Sequence, residues 1–391
     1  MHPYLRRATT RAASAAACLA LASSAPAAAG SFIFAEAYGV DIITHPPHYA
    51  GAGGKLTVSV CVDPAAADAA AMETPMKNIV AEINGFVPRS PNLLFGAGND
   101  IPVGTFDFES LTLHELGHCL SLAHPNQGVK TGVSGGNTNA TQSTRGANNM
   151  FDFNAGADGV DGSSDDMRAD DVNLHYFETG VGNPFLLPAR AETANYTRNV
   201  ANLPAGHSYP ANAARAVGPL LGVADTEAAM QQGQGSDEDQ RALQSDDVAT
   251  LMLGGTGLDE IAGTADDYTI ELVYAGLTTS CDIVATSSTS ISFASCSVGG
   301  TFLSSTHVVV TSGTFRYNPT AVTWYFNPVL ACDSLTLDYA HDATIAHTAC
   351  GDITTTTGFE VGATGTVTLT AANVILDNGS TVTGDLTVMS R

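Results

Sequence analysis

The sequence has few basic residues. Its 391 residues include 39 acids and only 15 bases, which gives a formal net charge of −24 at pH 7. Only three of the bases are lysines: Lys55, Lys77 and Lys130. Because binding to phosphates depends on Lys and Arg, this shortage argues against a nucleic acid or an anionic membrane as the partner. An acid-rich surface instead favours bound cations, calcium among them.

Long hydrophobic runs are missing as well. Beyond the N-terminus no stretch reaches 18 apolar residues, so the sequence predicts no membrane span. At the N-terminus, an arginine-rich start precedes a short apolar run, Ala12–Leu21, and a small-residue stretch, Ala27–Ala29. This pattern predicts a signal peptide over residues 1–29 and a secreted protein, extracellular or periplasmic. Cys18, within the apolar run, leaves a lipoprotein as the alternative.

Cysteine is scarce, but its count is informative. After the signal peptide six remain, and an even number in a secreted chain favours disulfides. The simplest of the 15 pairings joins neighbours in sequence: Cys61–Cys119, Cys281–Cys296 and Cys332–Cys350. The alternative for Cys119 is a buried free thiol on a helix.

Periodicity predicts the main elements of the chain. A strand is expected at Lys55–Val62, where apolar and polar residues alternate. Helices are expected at Met72–Phe86, at Phe106–Leu122 with Asp107 as N-cap, and at Gln240–Leu253. After about residue 265, Val, Thr, Ser and aromatic residues dominate, which predicts short strands.

Residues 114–124 read His-Glu-Leu-Gly-His-Cys-Leu-Ser-Leu-Ala-His, and this motif indicates the chemistry. His114 and His118 are four residues apart, so on a helix both imidazoles project from one face and can reach one Zn²⁺. Glu115 follows the first of them and can act as the general base that takes a proton from an attacking water. His124 reaches the same metal only if the chain turns sharply after His118.

This motif resembles the zinc-binding consensus of the metzincins, His-Glu-x-x-His-x-x-Gly-x-x-His. The strand, long helix and loop predicted before it resemble a matrixin-like catalytic domain. Metzincins are zinc endopeptidases with three His ligands, a Glu base and a methionine turn beneath the metal. The resemblance therefore implies His114, His118 and His124 as the ligands of one catalytic Zn²⁺, and Glu115 as the base.

The motif departs from the consensus at one position, where Ser121 replaces the glycine. The family's glycine often has a backbone conformation that costs other residues roughly 1 kcal/mol, so Ser121 raises the chance of a weakened protease. For the methionine turn, the resemblance favours Met230, because Asp246-Asp247-Val248 after it resembles the closing helix of matrixins. Met150 is the alternative.

An acidic, glycine-rich loop follows the motif. Asp152, Asn154 and Asp158 place oxygen atoms at alternating positions, which suits Ca²⁺. The alternative is a solvated acidic turn. The pattern Gly-x-Asp-x-x-x-Gly-Ser/Thr-x-Asp-Asp occurs at 156–166 and again at 257–267, either as an old duplication or as a reused turn.

The sequence therefore predicts an α+β protein, in which a metzincin-like zincin domain precedes β-rich modules. The predicted limits are a signal peptide (1–29), a metalloprotease domain (30–265) with a long insertion (about 127–225), a β-rich domain (266–330) and a small β-repeat or solenoid-like module (331–391). The expected function is that of a monomeric, secreted zinc endopeptidase acting on proteins or peptides. The alternatives are a secreted or surface binding protein with a degenerate protease domain, and a zinc hydrolase with a non-peptide substrate.

Overall fold

The computed structural model describes most of the chain on either side of the predicted insertion. The described residues are 31–34, 42–124, 215, 224–231, 233–331, 334–341 and 343–390, with four short strands at 153–154, 167–168, 176–177 and 196–197. The predicted signal peptide lies outside the described residues, as do Met150, Asp152, Asp158 and Cys332.

The described elements are three α-helices and twenty-five strands. The helices are α1 (Ala69–Gly85), α2 (Phe108–Leu120) and α3 (Ser245–Gly255). The strands before α3 are β1 (Ser31–Phe32), β2 (Ile43–His45), β3 (Gly54–Val62), β4 (Leu94–Phe95), β5 (Phe106–Asp107), β6 (Leu122–Ala123), β7 (Phe153–Asn154), β8 (Met167–Arg168), β9 (Tyr176–Phe177), β10 (Tyr196–Thr197) and β11 (Glu238–Asp239). The strands after α3 are β12 (Tyr268–Leu277), β13 (Ile283–Ser287), β14 (Ala294–Phe302), β15 (His307–Tyr317), β16 (Trp324–Tyr325), β17 (Leu335–Leu337), β18 (Ala340–His341), β19 (Thr344–Thr348), β20 (Asp352–Thr355), β21 (Glu360–Val361), β22 (Thr366–Ala371), β23 (Asn373–Ile375), β24 (Thr381–Val382) and β25 (Asp385–Ser390). This mixture of helices and strand-rich regions confirms the predicted α+β class.

Side chains at the start of two helices explain where these helices begin. The carboxylate of Asp107 accepts a hydrogen bond from the backbone N–H of Ser110, so Asp107 is the N-cap of α2, as predicted. α3 begins at Ser245 rather than at the predicted Gln240, because Gln244 and Asp247 form a reciprocal capping box there. Among the described residues, no helix is long and apolar enough to cross a membrane.

A six-stranded sheet supports the helices. Its strand order is β12–β3–β13–β15–β14, and β2 pairs with β15 as well. β3 is parallel to both of its neighbours, whereas β14 is antiparallel to β15 at the edge. Val58, Val60 and Val62 of β3 are fully buried and share one core with apolar residues of α1 and α2. α2 lies against β14 and β15, which places the motif helix beside the edge of the sheet.

The sheet crosses the predicted domain boundary at residue 265. Strands β12 to β15 lie where the sequence predicts a separate β-rich domain (266–330), yet β12 and β13 pair with β3. These strands therefore complete the sheet that supports the helices and do not form a sheet of their own. The local pattern shows that they are strands, but it holds no information about a parallel partner as distant in sequence as β3.

The described disulfides connect the same distant segments. Cys61 of β3 bonds to Cys281, and Cys119 of α2 bonds to Cys296 of β14. The predicted pairs Cys61–Cys119 and Cys281–Cys296 are therefore wrong, and so is the free-thiol alternative for Cys119. The sheet, not the distance along the sequence, decides which cysteines meet. Cys350 is disulfide-bonded too, and its predicted partner Cys332 lies outside the described residues.

The C-terminal residues wind into a short solenoid of three stacked coils. Its three faces are the parallel sheets β17–β20–β23, β18–β21–β24 and β19–β22–β25. Apolar residues of the coils point inward and form a core of their own, which includes Leu337, Ile353, Val361 and Leu369. This arrangement corresponds to the small β-repeat that the sequence predicts for 331–391.

Candidate metal centre

Two neighbouring elements bring three histidines together. α2 carries His114 and His118 one turn apart, and the helix ends at Leu120. The next residues form β6, which pairs with β1 of the N-terminal segment. His124 follows directly after β6, and its ligand nitrogen lies within 4.8 Å of those of His114 and His118.

The three imidazoles point their Nε2 atoms at one another. Each pair of Nε2 atoms among His114, His118 and His124 is 3.1 Å apart. His114 Nδ1 donates a hydrogen bond to the carbonyl of Ala229, and His118 Nδ1 donates one to the carbonyl of Leu122, both at 2.8 Å. Because these protons lie on Nδ1, the facing Nε2 atoms of these two residues carry lone pairs. Lone pairs that converge in this way suit a bound cation.

Burial keeps these histidines neutral. It lowers the pKa of His118 to about 3, with a further contribution from the neighbouring His114. Burial also lowers the pKa of His114, and for His124 the two other imidazoles add to the effect of burial. At neutral pH the nitrogens are therefore free of the protons that would compete with a metal ion.

Glu115 lies beside this cluster with one unsatisfied oxygen. Its side chain is buried, and burial raises its pKa to about 8, although a hydrogen bond from the backbone N–H of Cys296 opposes the shift. Within the described part of the chain, Glu115 Oε2 has no hydrogen-bond partner. The unsatisfied oxygen is left for a water or a ligand in the cleft, and a cation bound by the neighbouring histidines would favour the ionised form of Glu115, which can accept a proton.

Met230 packs against the motif helix. It is buried, and a Cβ added at Gly117 would overlap its sulfur atom. The adjacent Ala229 supplies the carbonyl that orients His114. Asp247 of α3 accepts hydrogen bonds from the backbone N–H groups of Ala229 at 2.7 Å and of Met230 at 3.2 Å. α3 therefore holds the turn that supports the first histidine. That Met230 forms the methionine turn stays a prediction.

Ser121 shows no sign of the expected strain. Its φ is 172°, which is extended backbone that any residue adopts, and its N–H donates to the carbonyl of Gly117. The glycine of the consensus is therefore not needed here for a left-handed conformation.

A cleft of about 630 Å³ opens onto the histidines. One wall is α2, and the opposite wall is the start of β14, from Ala294 to Cys296. Phe106 and Phe293 add apolar surface to the cleft. The disulfide between Cys119 and Cys296 ties the two walls together. The sequence does not predict this second wall, because β14 follows the motif by some 170 residues and only Cys296 on it indicates a link to another segment.

Of the two acidic, glycine-rich segments, the described residues include all of the second and little of the first. Asp152 and Asp158 lie outside the described residues, so calcium binding there stays a prediction; Asn154 lies on β7. In the second copy of the repeat, Asp266 accepts a hydrogen bond from the backbone N–H of Leu258 at 2.6 Å, and Asp267 accepts one from Gly263 at 2.7 Å. These carboxylates close a turn of the backbone.

Comparison of the chain with protein-family models, with curated proteins and with solved structures finds no match.

Proposed function

We propose that this protein is a secreted zinc endopeptidase of the metzincin type. The observation that supports the proposal is the convergence of three neutral imidazoles next to the buried carboxylate of Glu115, in a cleft large enough for a substrate. Tetrahedral Zn²⁺ at 2.0–2.1 Å from each nitrogen requires the nitrogens to be about 3.3 Å apart. The observed separations of 3.1 Å are close to this value. The donor set therefore fits zinc, with His114, His118 and His124 as ligands.

Each residue has a distinct part in the proposed hydrolysis. Bound Zn²⁺ supplies a Lewis acid that polarises the scissile carbonyl and makes water a stronger acid. Glu115 accepts the proton of the attacking water and then gives it to the leaving amine. The backbone N–H of Cys296 holds the Glu115 carboxylate in place. The carbonyl of Ala229 orients His114, and Met230 packs against Gly117 of the same helix, in a turn that Asp247 holds.

The walls of the cleft favour a peptide as the substrate. β14 pairs with β15 on one side, and within the described residues its other edge has no partner strand. An extended peptide can add to such an edge through main-chain hydrogen bonds, which places a peptide carbonyl near the histidines. Phe106, Phe293 and Val322 supply an apolar surface for a substrate side chain. A non-peptide substrate would make no use of the free strand edge.

Secretion is supported by two features. The disulfides Cys61–Cys281 and Cys119–Cys296 are typical of proteins in an oxidising compartment. The start of the sequence, residues 1–29, has the pattern of a signal peptide.

Metal analysis and proteolysis of casein test the proposal on the purified chain. We expect about one zinc per chain and chelator-sensitive proteolysis. His118→Ala should lose stoichiometric zinc, whereas the surface variant His48→Ala should keep it. Glu115→Gln should keep zinc and lose proteolysis by several orders of magnitude, since the water then lacks its proton acceptor. The matched control Glu360→Gln changes an exposed carboxylate and should retain full activity.

Two outcomes would contradict the proposal in different ways. If His118→Ala keeps about one zinc per chain, the assigned ligands are wrong. If the parent binds zinc but cleaves neither casein nor shorter peptides, the alternative of a secreted binding protein with a degenerate protease domain is favoured.

A further inference from the structure

A second cavity, with a volume of about 340 Å³, lies between α1 and the first coil of the solenoid (β17 to β19). It shares no lining residue with the cleft at the histidines. Leu94 at its rim is 42% exposed, so the cavity is open to solvent on that side. Sites for small molecules typically have volumes of roughly 300–1,000 Å³. The cavity is therefore large enough and accessible enough for a small ligand.

Protein hydrogen bonds use most of the polar side chains in the wall of this cavity. Three asparagines that line it each donate through the nitrogen and accept through the oxygen of the amide: Asn78, Asn92 and Asn327. Of its three carboxylates, Glu82 and Asp239 have partners for both oxygens. Glu109 accepts both of its hydrogen bonds through Oε2 and, among the described residues, has none at Oε1. Glu109 is 4% exposed and lines the cavity, so its Oε1 is the carboxylate acceptor that remains for a ligand.

Negative charge exceeds positive charge around the cavity. Two bases line it, and Arg89 pairs with Glu82 at 3.5 Å. The other base, Arg241, is shared by three aspartates within 4 Å: Asp100, Asp107 and Asp239. Together with Glu82 and Glu109, the three aspartates give five carboxylates for two guanidinium groups. An anion therefore meets only bases that are already paired, whereas a cation offsets the excess of negative charge.

The spacing of these carboxylates favours an organic cation over a metal ion. Within the described residues, the three histidines of the motif are the one group of His, Cys, Asp or Glu whose ligand atoms lie close enough together to share an ion. The rest of the cavity wall includes apolar side chains, namely Ala81, Pro91, Leu94, Ala242, Ala331 and Leu335. An ammonium or guanidinium group on a short apolar stem matches both the carboxylate and these walls.

The ionisation of Glu109 agrees with a cationic ligand. Burial raises the pKa of Glu109 to about 7; Asp107 adds to this shift, whereas Arg241 and the two amides oppose it. A cation at Oε1 favours the ionised carboxylate, so a proton and the cation compete for Glu109. Binding of the cation should therefore be tighter at pH 8 than at pH 6.

We infer that this cavity binds a small organic cation, an ammonium or guanidinium group on an apolar stem, which donates its hydrogen bonds to Glu109 Oε1. A free alkylamine and the Lys or Arg side chain of a peptide both offer this chemistry. Because the cavity is separate from the candidate metal centre, the inference is independent of the proposed protease activity.

NMR titration of three probes with the purified full chain, at pH 8 and low ionic strength, tests the inference. n-Pentylamine is an ammonium on an apolar stem, n-pentanol has the same stem without the charge, and N-acetyl-lysine amide presents the ammonium on a peptide unit. We expect saturable binding of the amines, with n-pentanol at least about 10-fold weaker. The amine that binds more tightly identifies a free amine or a peptide side chain as the source.

Substitution of the carboxylate locates the bound amine. Glu109→Gln keeps the size and an acceptor but removes the charge, so it should weaken amine binding about 10–100-fold. The control Glu360→Gln removes an exposed carboxylate of the solenoid and should bind like the parent. Urea unfolding shows whether the Glu109→Gln variant is folded; if it is not, the pH dependence of amine binding by the parent decides the case.

Four results would overturn the inference. The first is the absence of saturable amine binding by the parent at millimolar concentrations, and the second is equal affinity for n-pentylamine and n-pentanol. The third is amine binding that Glu109→Gln leaves unchanged, because the amine would then be bound elsewhere, for example at a zinc ion. The fourth is amine binding by the parent that is no tighter at pH 8 than at pH 6.

Discussion

Glu109 provides the sharpest test of the electrostatics inside this fold. It lies in the first turn of α2, is 4% exposed and accepts hydrogen bonds from the side-chain amides of Asn78 and Asn327, both at 3.0 Å. Burial raises the pKa of Glu109 to about 7, against 4.5 for a free carboxyl group, although Arg241 and the two amides oppose the shift. The native state therefore binds this proton more tightly than the unfolded state does.

The sign and size of the effect on stability follow from this difference. Between pH 4.5 and about 7 the unfolded chain has Glu109 ionised, whereas the native state binds a proton there. The free-energy cost of Glu109 to the native state therefore grows over this range and then levels off. It amounts to about 1 kcal/mol at pH 5 and about 3 kcal/mol at pH 8. Glu109→Gln removes the cost and keeps an oxygen that can accept from both amides. The variant should therefore be more stable than the parent, and its advantage should grow with pH.

Urea unfolding of the oxidised protein at pH 5, 6, 7 and 8 measures this advantage. Glu360→Gln, at an exposed carboxylate of the solenoid, is the control for the loss of a surface charge and should change the free energy of unfolding by less than about 0.5 kcal/mol. A Glu109→Gln variant that is less stable than the parent at pH 8 would refute the reasoning. An advantage of equal size at every pH would do so as well, because it could not come from ionisation.

Three further predictions concern the walls and the floor of the cleft. Cys119→Ala/Cys296→Ala opens a loop of 177 residues, so the free energy of unfolding in urea should fall by about 5 kcal/mol; an unchanged value would contradict the pairing. Gly117→Ala should cost about 1–3 kcal/mol in the same assay, because its methyl group would overlap Met230, whereas a neutral effect would place Met230 elsewhere. Asp247→Ala should weaken zinc binding about 10–100-fold in competition with a chelator, since the turn that orients His114 loses its acceptor. Zinc affinity equal to that of the parent would remove Asp247 from that role.

Local features of this fold could be predicted from the sequence. The cap at Asp107, the helix that carries His114 and His118, and the alternating strand around Val58 each depend on residues within a few positions. The same holds for the short strands of the solenoid. In each case the side chains that determine the conformation are neighbours in the chain, so the local pattern of residues predicts the secondary structure.

Long-range features could not be predicted in this way. Cys61 is 220 residues from its partner Cys281, and nothing in the local pattern separates Cys281 from the other four cysteines as the partner of Cys61. The alternation of β12 is the same whether this strand begins a new domain or pairs with β3. The sequence pattern therefore predicts a domain boundary at residue 265, which the sheet crosses. The start of α3 was misjudged for a local reason, because the cap formed by Gln244 was not recognised.

The candidate centre depends on both kinds of information. α2 alone supplies His114, Glu115 and His118, and these residues form a readable motif. The cleft around this motif is formed by residues later in the chain. The turn before α3 supports His114, and β14 forms the opposite wall. β14 is held in place by β15, which pairs with β13, which in turn pairs with β3. The residues that perform the proposed chemistry are therefore local in sequence, while their burial, their lowered pKa values and their access to substrate are properties of the sheet.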